Sequence, residues 1–477
     1  MSAVAVRRAG VLLHPTSLPG DGPLGYPAQR FLEFLHAGGF ACWQMLPINP
    51  AAPDGSPYQS ESCHAADPRL LSLEPAVLGL DVGGVRSAGA LAAAFETQAD
   101  ASRRAALAAF RQREAGWLED YALYRALKQR AGGAAWWDWP APWRGRDAQA
   151  LVDARERCAR EREAVVLEQF LLEEQWQALR AQARARGIAL IGDLPMFVAA
   201  DSCEVWSRPG LFRLAPDGRA AVVAGVPPDY FSVTGQRWGN PVYAWEAHRR
   251  EDFAWWLARV RRQLEWFDLL RIDHFRGLAA TWEIPAACDT AEHGRWVDVP
   301  GDALLARLAD ALGELPFIAE DLGTITPDVV ALRARWQLPG MNVLQFAFDS
   351  DAANPYLPHN HRRRALVCTG THDNDTTLGW FTALDDARRT RVLDYLGQPG
   401  EAMPWPLIRA ALASVAELAV VPLQDLLGLG SEARMNVPGT ASGNWVWRCA
   451  EDVLDDALAA RCAALNVRYG RSVTARS

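Results

Sequence analysis

Four acidic residues follow apolar runs that resemble buried β-strands. Asp193 ends A-L-I-G-D, Asp273 ends L-L-R-I-D, Glu320 ends F-I-A-E and Asp373 ends G-T-H-D. A single acid after a strand is often a helix cap or a solvated turn residue. Four acids in corresponding positions are harder to explain in that way, because clustered carboxylates raise one another's pKa at a cost in stability. We therefore predict a shared pocket, used either for metal binding or for acid–base and nucleophilic chemistry on a neutral substrate.

The residues around these acids favour chemistry without a metal. Metal-dependent hydrolases often present histidines alternating with carboxylates at strand ends, and strands 1 and 3 supply no H-x-H pair. The nearby histidines are all single: His14, His274 and His372. Arg271 lies two residues before Asp273, on the same face of a strand, and is expected to keep that carboxylate ionised. Glu320 has no adjacent arginine and is expected to keep its proton.

An ionised carboxylate beside a protonated carboxyl group is the catalytic pair of retaining glycosidases. In those enzymes about 5 to 5.5 Å separates the two groups, one acting as nucleophile and the other as general acid. Adjacent strands lie about 4.8 Å apart, so neighbouring strand ends would supply this separation. The pattern predicts this chemistry for Asp273 and Glu320, with no metal and no cofactor.

Eight short apolar runs predict the strands that position these acids. They alternate with helical patterns such as residues 251–267, whose apolar residues recur at steps of three and four. Strands that are apolar on both faces indicate a parallel sheet covered by helices, and eight of them predict a (β/α)8 TIM barrel. A doubly wound sheet is the alternative, because periodicity does not show closure. The runs begin at Gly10, Ala41, Ile188, Leu269, Pro316, Met341, Ala365 and Leu418.

The chain is longer than a bare barrel requires. It has 477 residues, whereas a barrel alone needs about 250, so we expect large insertions into a single catalytic barrel spanning 1–477. Residues 51–187 have strong helical periodicity and predict a helical subdomain between strands 2 and 3. Residues 200–245 are rich in glycine, proline and aromatic residues and are expected to lie over the mouth of the barrel.

Composition excludes several classes of protein. The net charge of −8 argues against a nucleic-acid partner, which usually requires a basic surface. The eight cysteines include no C-x-x-C pair and no zinc-type spacing, so reduced thiols are expected. No run resembles a signal peptide or a membrane span, which predicts a cytoplasmic protein without membrane association. A monomer or weak homo-oligomer is expected.

Six sequence strings together resemble one known family. The 4-alpha-glucanotransferases, also called amylomaltases or disproportionating enzymes, form glycoside hydrolase family 77 and are related to the α-amylases. The resemblance runs nearly end to end. Its most specific parts are the loop containing P-P-D-Y-F-S and the string G-T-H-D-N-D. The strings are S-P-Y-Q-S (56–60), P-P-D-Y-F-S-V-T-G-Q-R-W-G-N-P (227–241), L-L-R-I-D-H-F-R-G (269–277), F-I-A-E-D-L-G (317–323), G-T-H-D-N-D-T (370–376) and L-G-S-E-A-R-M-N-V-P-G-T (429–440).

The resemblance implies a role for each matching residue. Asp273 corresponds to the nucleophile, Glu320 to the acid/base, and Asp373 to the third carboxylate, which grips the sugar hydroxyls and favours distortion of the ring. Residues 225–241 correspond to a lid over the acceptor side. The implied substrate-binding residues are Tyr58, Asp193, Phe231, Gln236, Trp238, Arg271 and His372.

The implied activity is transfer of an α-1,4-glucan segment through a covalent glucosyl-enzyme. The implied donors are malto-oligosaccharides and α-1,4-glucans derived from starch or glycogen, and the acceptor is the 4-hydroxyl of glucose or a glucan. Neither metal nor cofactor is implied.

Two departures from the family pattern bear on acceptor preference rather than on reaction type. Val233 stands where a glutamate is commoner, and S-E-S-C-H-A-A-D-P (60–68) replaces a run resembling S-A-F-A-G-N-P.

Other functions remain as alternatives: an α-1,4-glucan hydrolase of the α-amylase type, or a glucan-binding protein with an inactive barrel. A phosphate-handling barrel isomerase is disfavoured, because Lys128 is the only lysine.

Overall fold

The computed structural model describes residues 7–228, 232–440 and 442–472. Within these ranges the chain forms twelve strands, numbered in chain order. They are β1 (Arg8–Leu12), β2 (Cys42–Gln44), β3 (Ala189–Leu194), β4 (Val222–Val226), β5 (Gln236–Pro241), β6 (Leu269–Ile272), β7 (Ala280–Pro285), β8 (Arg295–Asp298), β9 (Phe317–Ala319), β10 (Gly340–Val343), β11 (Ala365–Cys368) and β12 (Leu418–Pro422).

The same ranges contain eighteen α-helices. They are α1 (Tyr26–Ala37), α2 (Pro75–Leu78), α3 (Ala88–Gln98), α4 (Ala101–Arg113), α5 (Leu118–Arg130), α6 (Ala141–Arg144), α7 (Ala148–Arg157), α8 (Ala159–Ala185), α9 (Cys203–Ser207), α10 (Trp245–Arg250), α11 (Ala254–Trp266), α12 (Gly301–Leu312), α13 (Pro327–Arg335), α14 (Thr377–Ala383), α15 (Asp386–Tyr395), α16 (Trp405–Ala413), α17 (Leu423–Leu426) and α18 (Asp456–Arg468). None of these helices combines the length and apolar character that a membrane crossing requires.

Eight strands form the predicted barrel. The hydrogen-bonded order is β10-β11-β12-β1-β2-β3-β6-β9, and every neighbouring pair is parallel. The two strands at the ends of this order, β9 and β10, are joined by a backbone hydrogen bond. The N–H of Ala319, in β9, donates to the carbonyl of Pro339, one residue before β10, at 2.8 Å. Each of the eight apolar runs provides one of these strands. The (β/α)8 TIM barrel is therefore confirmed, and the doubly wound alternative is wrong.

The barrel strands are apolar on both faces because each face is buried in a separate hydrophobic core, one under the helices and one inside the barrel. Alternate residues such as Val11, Leu190 and Leu270 face outward and pack under the helices. The other residues of the strands fill the barrel interior, so that it is a packed core rather than a pore. The interior set includes Leu12, Cys42, Ile191, Ile318, Met341, Val343, Leu366, Cys368, Leu418 and Val420.

A second, smaller sheet was not predicted from the sequence. It has the order β5-β4-β7-β8, and all of its pairs are antiparallel. The β4–β5 hairpin lies between β3 and α10, and it pairs with β7, which follows the end of barrel strand β6. This sheet therefore connects the segment predicted to cover the mouth with the segment that follows Asp273.

Helices α2 to α8 lie between β2 and β3, in the region predicted to be helical. The last of them, α8, packs against α11: the indole N–H of Trp176 donates to the carbonyl of Trp266, the last residue of that helix, at 3.1 Å. The helix expected over 251–267 begins at Ala254 instead, because Asp252 and Phe253 adopt φ angles of 53° and 53°, which interrupt the helical geometry.

Candidate active site

Strand register brings three of the predicted acids to one rim of the barrel. Strands β3, β6 and β9 are consecutive in the sheet, and Asp193 is paired with Arg271. Ile272 is paired with Ala319, so the next residues, Asp273 and Glu320, lie across from each other. The N–H of Glu320 donates to the carbonyl of Ile272 at 3.1 Å and extends this pairing.

Arg271 is the centre of an ion-pair network in this rim. Its Nη1 donates to both carboxylate oxygens of Asp193, at 2.8 and 2.7 Å, and to Oδ1 of Asp273 at 3.0 Å. Burial alone would lower the pKa of Arg271, but the carboxylates of Asp193 and Asp273 raise it well above its ordinary value. The guanidinium therefore stays charged and forms an ion pair with each of the two acids.

Glu320 lies in a different electrostatic environment. Its Oε2 accepts the backbone N–H of His274 at 2.7 Å, and its Oε1 accepts that of Leu322 at 3.2 Å. Burial raises the pKa of Glu320 to about 8; Arg271 opposes this rise and the neighbouring carboxylate of Asp273 adds to it. The side chain therefore mostly holds a proton at pH 7, as a general acid must.

Tyr58 and His372 form a wall beside Asp193. The Tyr58 hydroxyl donates to Oδ2 of Asp193 at 2.8 Å and lies 2.9 Å from Nε2 of His372. Burial and the nearby carboxylate of Asp193 raise the pKa of Tyr58 well above its ordinary value, so the phenol keeps its single proton. Because that proton goes to Asp193, we infer that His372 carries its own proton on Nε2 and donates it to the Tyr58 oxygen.

The aromatic wall extends to Trp445, which the sequence analysis did not single out. The rings of Tyr58 and His372 are stacked with centroids 5.3 Å apart. The indole of Trp445 lies 6.0 Å from the Tyr58 ring and 5.9 Å from the His372 ring. Flat apolar faces of this kind suit the C–H face of a sugar ring.

Asp373 reaches the same wall from a loop rather than from a strand end. It lies five residues beyond the end of β11, and its Oδ2 is 3.4 Å from Nε2 of His372. Its Oδ1 accepts the side-chain N–H of Asn436 at 2.6 Å, and its backbone carbonyl accepts Nη2 of Arg434 at 2.7 Å. The side chain is 45% exposed and is thus accessible to a substrate.

Sequence reasoning did not identify Asn436 and Arg434 as site residues. A signal was present, because both fall in the string at 429–440 that contributes to the family resemblance. Nothing in that string alone shows that it folds back onto Asp373.

Of the predicted lid residues, Gln236 and Trp238 lie at the site. The indole N–H of Trp238 donates to Oε1 of Gln236 at 3.0 Å, and its ring meets the ring of His274 edge-on at 4.8 Å. His274 directly follows Asp273, so the two lid residues are adjacent to the acids. Phe231 lies outside the described residues.

Sequence and structure comparisons identify the family of this chain. The glycoside hydrolase 77 family model, described as 4-alpha-glucanotransferase, matches residues 13–454. The chain belongs to this family. The 4-alpha-glucanotransferase of Thermus thermophilus is 49% identical, over 96% of this chain and 98% of the relative. The corresponding protein of Synechocystis is 44% identical, over 98% of each chain.

Solved structures agree with this assignment. The amylomaltase of Streptococcus agalactiae, in a structure with acarbose, has a TM-score of 0.92 and 34% identity, covering 98% of this chain and 100% of that chain. The family resemblance predicted from the sequence is confirmed. The chain is a 4-alpha-glucanotransferase, a glucosyl-transferring enzyme, rather than the α-1,4-glucan hydrolase considered as an alternative.

Two glycines of the segment predicted to form a lid are needed because the backbones of β4 and β5 approach closely. A Cβ atom at Gly225 would collide with the carbonyl of Gln236, on the opposite strand of the hairpin. Gly235 has a φ of +69°, and a Cβ there would collide with the carbonyl of Val226. Val233, between these positions, is 88% exposed. The glycines therefore allow a tight β4–β5 hairpin to form beside the active site.

The donor set of the active site does not suit a divalent cation. Both oxygens of Asp193 and one oxygen of Asp273 are already bonded to the guanidinium of Arg271. A permanent cation in that position repels a metal ion and takes up the carboxylate oxygens that would bind it. The site is therefore built for substrate chemistry carried by its own side chains.

Proposed function

We propose that the enzyme transfers α-1,4-glucan segments by a double displacement at Asp273 and Glu320. Asp273 attacks C1 of the donor sugar while Glu320 gives its proton to the leaving glycosidic oxygen, so that a covalent glucosyl-enzyme of inverted configuration forms. Glu320, now a carboxylate, removes the proton from the 4-hydroxyl of the acceptor. That hydroxyl oxygen attacks C1, releases Asp273 and restores the α-linkage.

One observation carries this proposal: two carboxyl groups at paired strand ends have opposite electrostatic surroundings. Asp273 is ion-paired with Arg271, which suits a nucleophile. Desolvation raises the pKa of Glu320 to about 8, which suits a proton donor at neutral pH. Environments that separate the proton affinities of two adjacent acids are expected of a retaining glycosidase pair.

Other residues of the site bind and orient the sugar in this proposal. Asp373 accepts hydrogen bonds from sugar hydroxyls in the reacting subsite, supported by its half-exposed side chain. Tyr58 and His372 stack against the sugar, and Asp193 holds Tyr58 and Arg271 in place. Gln236 and Trp238, together with Phe231, contact the glucan on the acceptor side.

We propose malto-oligosaccharides and α-1,4-glucans derived from starch or glycogen as donors, and glucose or a glucan as acceptor. The related amylomaltase of known structure, which is in complex with acarbose, supports this substrate class. We also propose that the enzyme acts without a cofactor, as a monomer or weak homo-oligomer in the cytoplasm. The eight cysteines are all unpaired, in keeping with a reducing compartment.

We propose distinct roles for the two large insertions into the barrel. In a single catalytic barrel spanning 1–477, residues 51–187 form a helical insertion and residues 200–245 carry the lid. The β4–β5 hairpin is positioned to keep water from the glucosyl-enzyme while an acceptor sugar is bound, since Trp238 lies beside His274. Exclusion of water is what favours transfer over hydrolysis.

Incubation with pure maltotriose tests the proposal. Transfer converts maltotriose into a ladder of longer and shorter oligomers together with glucose, and chromatography of the products resolves that ladder. A product mixture of maltose and glucose without longer oligomers would overturn it. Protein carrying Asp273→Asn is the matched control and should leave maltotriose unchanged.

A further inference from the structure

Cys63, His64 and Glu204 form a buried cluster of side chains that the proposed reaction does not use. Sγ of Cys63 lies 3.4 Å from Nδ1 of His64, and that nitrogen lies 3.2 Å from Oε1 of Glu204. The three residues are 7%, 6% and 4% exposed, respectively. Among the described residues, this is the one group of three or more potential metal ligands whose ligand atoms all lie within 4.8 Å of one another.

Two of the three spacings between these atoms match tetrahedral zinc coordination. Zinc binds cysteine sulfur at about 2.3 Å and histidine nitrogen or carboxylate oxygen at about 2.0–2.2 Å. A tetrahedral angle then separates sulfur from nitrogen by about 3.6 Å, and nitrogen from oxygen by about 3.4 Å. The distances of 3.4 and 3.2 Å differ from these values by only about 0.2 Å.

Two buried oxygens next to the cluster have no hydrogen-bond donor within the described ranges. Oε2 of Glu204 and Oε1 of Gln263 are buried and have no hydrogen-bond partner among the described residues. Gln263 lies beside the cluster, because its Nε2 donates to the carbonyl of Cys63 at 3.1 Å. A buried acceptor without a partner is costly, and a metal ion or a metal-bound water would satisfy it.

We propose that Cys63, His64 and Glu204 bind one zinc ion. On binding, the Cys63 thiol loses its proton to solvent and becomes a thiolate, and His64 takes the tautomer with its proton on Nε2. The thiolate and the carboxylate of Glu204 then balance the charge of the ion, so that the buried site is neutral overall. The fourth position falls to water or to one of the two unpaired oxygens.

The position of the cluster points to a structural role. Cys63 and His64 lie shortly after Tyr58, whereas Glu204 belongs to α9, beyond the end of β3. The two segments already meet through the Ser62 hydroxyl, which donates to Oε1 of Glu204 at 2.7 Å. A bound ion would fasten the segment carrying Tyr58 to α9. Both ligands at 63 and 64 fall in the run where this sequence departs from the family pattern.

Metal binding by the full-length protein tests the proposal. The protein is stripped with a chelator, incubated with Zn²⁺ and then desalted, and bound zinc is measured by elemental analysis. We expect one zinc ion per chain and a higher Tm than that of the stripped protein. Replacing Zn²⁺ with Co²⁺ should produce a thiolate-to-metal charge-transfer absorption band.

Variants identify the ligands. Cys63→Ala/His64→Phe removes two ligands and restores the residues of the family-like run; it should lose the bound zinc, the Tm increase and the cobalt band. Cys462→Ala, in α18, removes a similarly buried cysteine far along the chain and should retain all three. If the double variant does not fold, Glu204→Gln replaces it and should weaken zinc binding at least tenfold.

Two results would overturn the proposal. One is a folded, stripped protein that takes up no stoichiometric zinc. The other is a ligand variant that binds zinc as tightly as the unmodified chain does.

Discussion

The acids on the two sides of the active site are held in different ways. Asp273 and Glu320 each lie one residue beyond barrel strands that are paired with each other, and backbone hydrogen bonds fix their relative position. Asp373 lies five residues beyond β11, and side chains from a distant loop, Asn436 and Arg434, hold it in place. Backbone register therefore determines where Asp273 and Glu320 lie, whereas side-chain contacts determine where Asp373 lies.

The two sides also differ in burial. The Asp273 side chain is 28% exposed and desolvation raises the pKa of Glu320 to about 8, whereas the Asp373 side chain is 45% exposed. A pair of acids fixed by backbone hydrogen bonds suits bond cleavage, where electrostatic preorganisation is most effective. A partly exposed carboxylate on a loop suits hydrogen bonding to sugar hydroxyl groups, because the positions of these groups change when the sugar ring is distorted. Mutations on the strand-held side should therefore have the largest effects on the chemical step.

The largest effect is expected for Asp273→Asn. The amide has nearly the same shape but cannot act as the nucleophile, so transfer from maltotriose should fall by at least about 10⁴-fold in kcat/KM. Oligosaccharide binding, measured by calorimetry, should be retained because the other subsite residues are intact. Transfer at a normal rate by this variant would show that another group is the nucleophile.

Glu320→Gln should cost about 10²–10⁴-fold, because protonation of the leaving oxygen is lost. The loss should depend on the leaving group. A maltosyl fluoride donor needs little acid assistance, so formation of the glucosyl-enzyme from it should be largely restored, whereas Asp273→Asn should not be rescued. An equal loss with both donors would contradict the role of Glu320 as the acid.

On the loop-held side, Asn436→Ala should lower kcat by up to about 10²-fold, because Asp373 loses the hydrogen bond that orients it. Thermal stability should change little, since Asn436 is only partly buried. Asn444→Ala is the matched control: this residue is also partly buried, and its side chain bonds to Thr440 and Val437 of the same loop. Comparable activity losses in both variants would mean that loop stability, rather than contact with Asp373, is responsible.

The pH profile gives a smaller but specific test of the strand-held pair. Burial raises the pKa of Glu320 to about 8, so this group is protonated below that pH and loses its proton above it. Cleavage needs the protonated form, and kcat/KM for maltotriose should therefore fall about tenfold per pH unit above about pH 8. With the fluoride donor this alkaline decline should be much weaker. An alkaline decline centred near pH 5 would contradict the proposed environment of Glu320.

Strand-based features of the molecule could be predicted from the sequence because they depend on local patterns. Runs such as L-L-R-I-D identify buried strands, and in a parallel barrel the residue after each strand must lie at the same rim. Two strands of the second sheet escaped prediction because they are partly exposed or irregular: β8 has no buried residue, and β5 contains Gly239 at a φ of +81°. Such strands lack the apolar or alternating pattern on which strand prediction depends.

Contacts between residues far apart in the sequence could not be predicted in the same way. Asn436 meets Asp373 across 63 residues, and Glu204 meets His64 across 140. Cys63 and His64 are adjacent, which does not resemble the separated ligand pairs of common zinc motifs. Nothing in the local sequence shows that the third residue of the cluster, Glu204, comes from a helix beyond β3.

The smallest effect is expected at the lid. Trp238→Ala removes an indole that lies beside His274 and bonds to Gln236, and it should admit water to the glucosyl-enzyme. The fraction of turnovers that end in hydrolysis should rise several-fold, measured as reducing ends released per transfer product, while cleavage of the donor changes little. Val233→Ala, on the same hairpin but 88% exposed, should leave this ratio unchanged. If Trp238→Ala instead lost donor cleavage to the same extent as Asn436→Ala, Trp238 would be one of the residues that orient the reacting sugar.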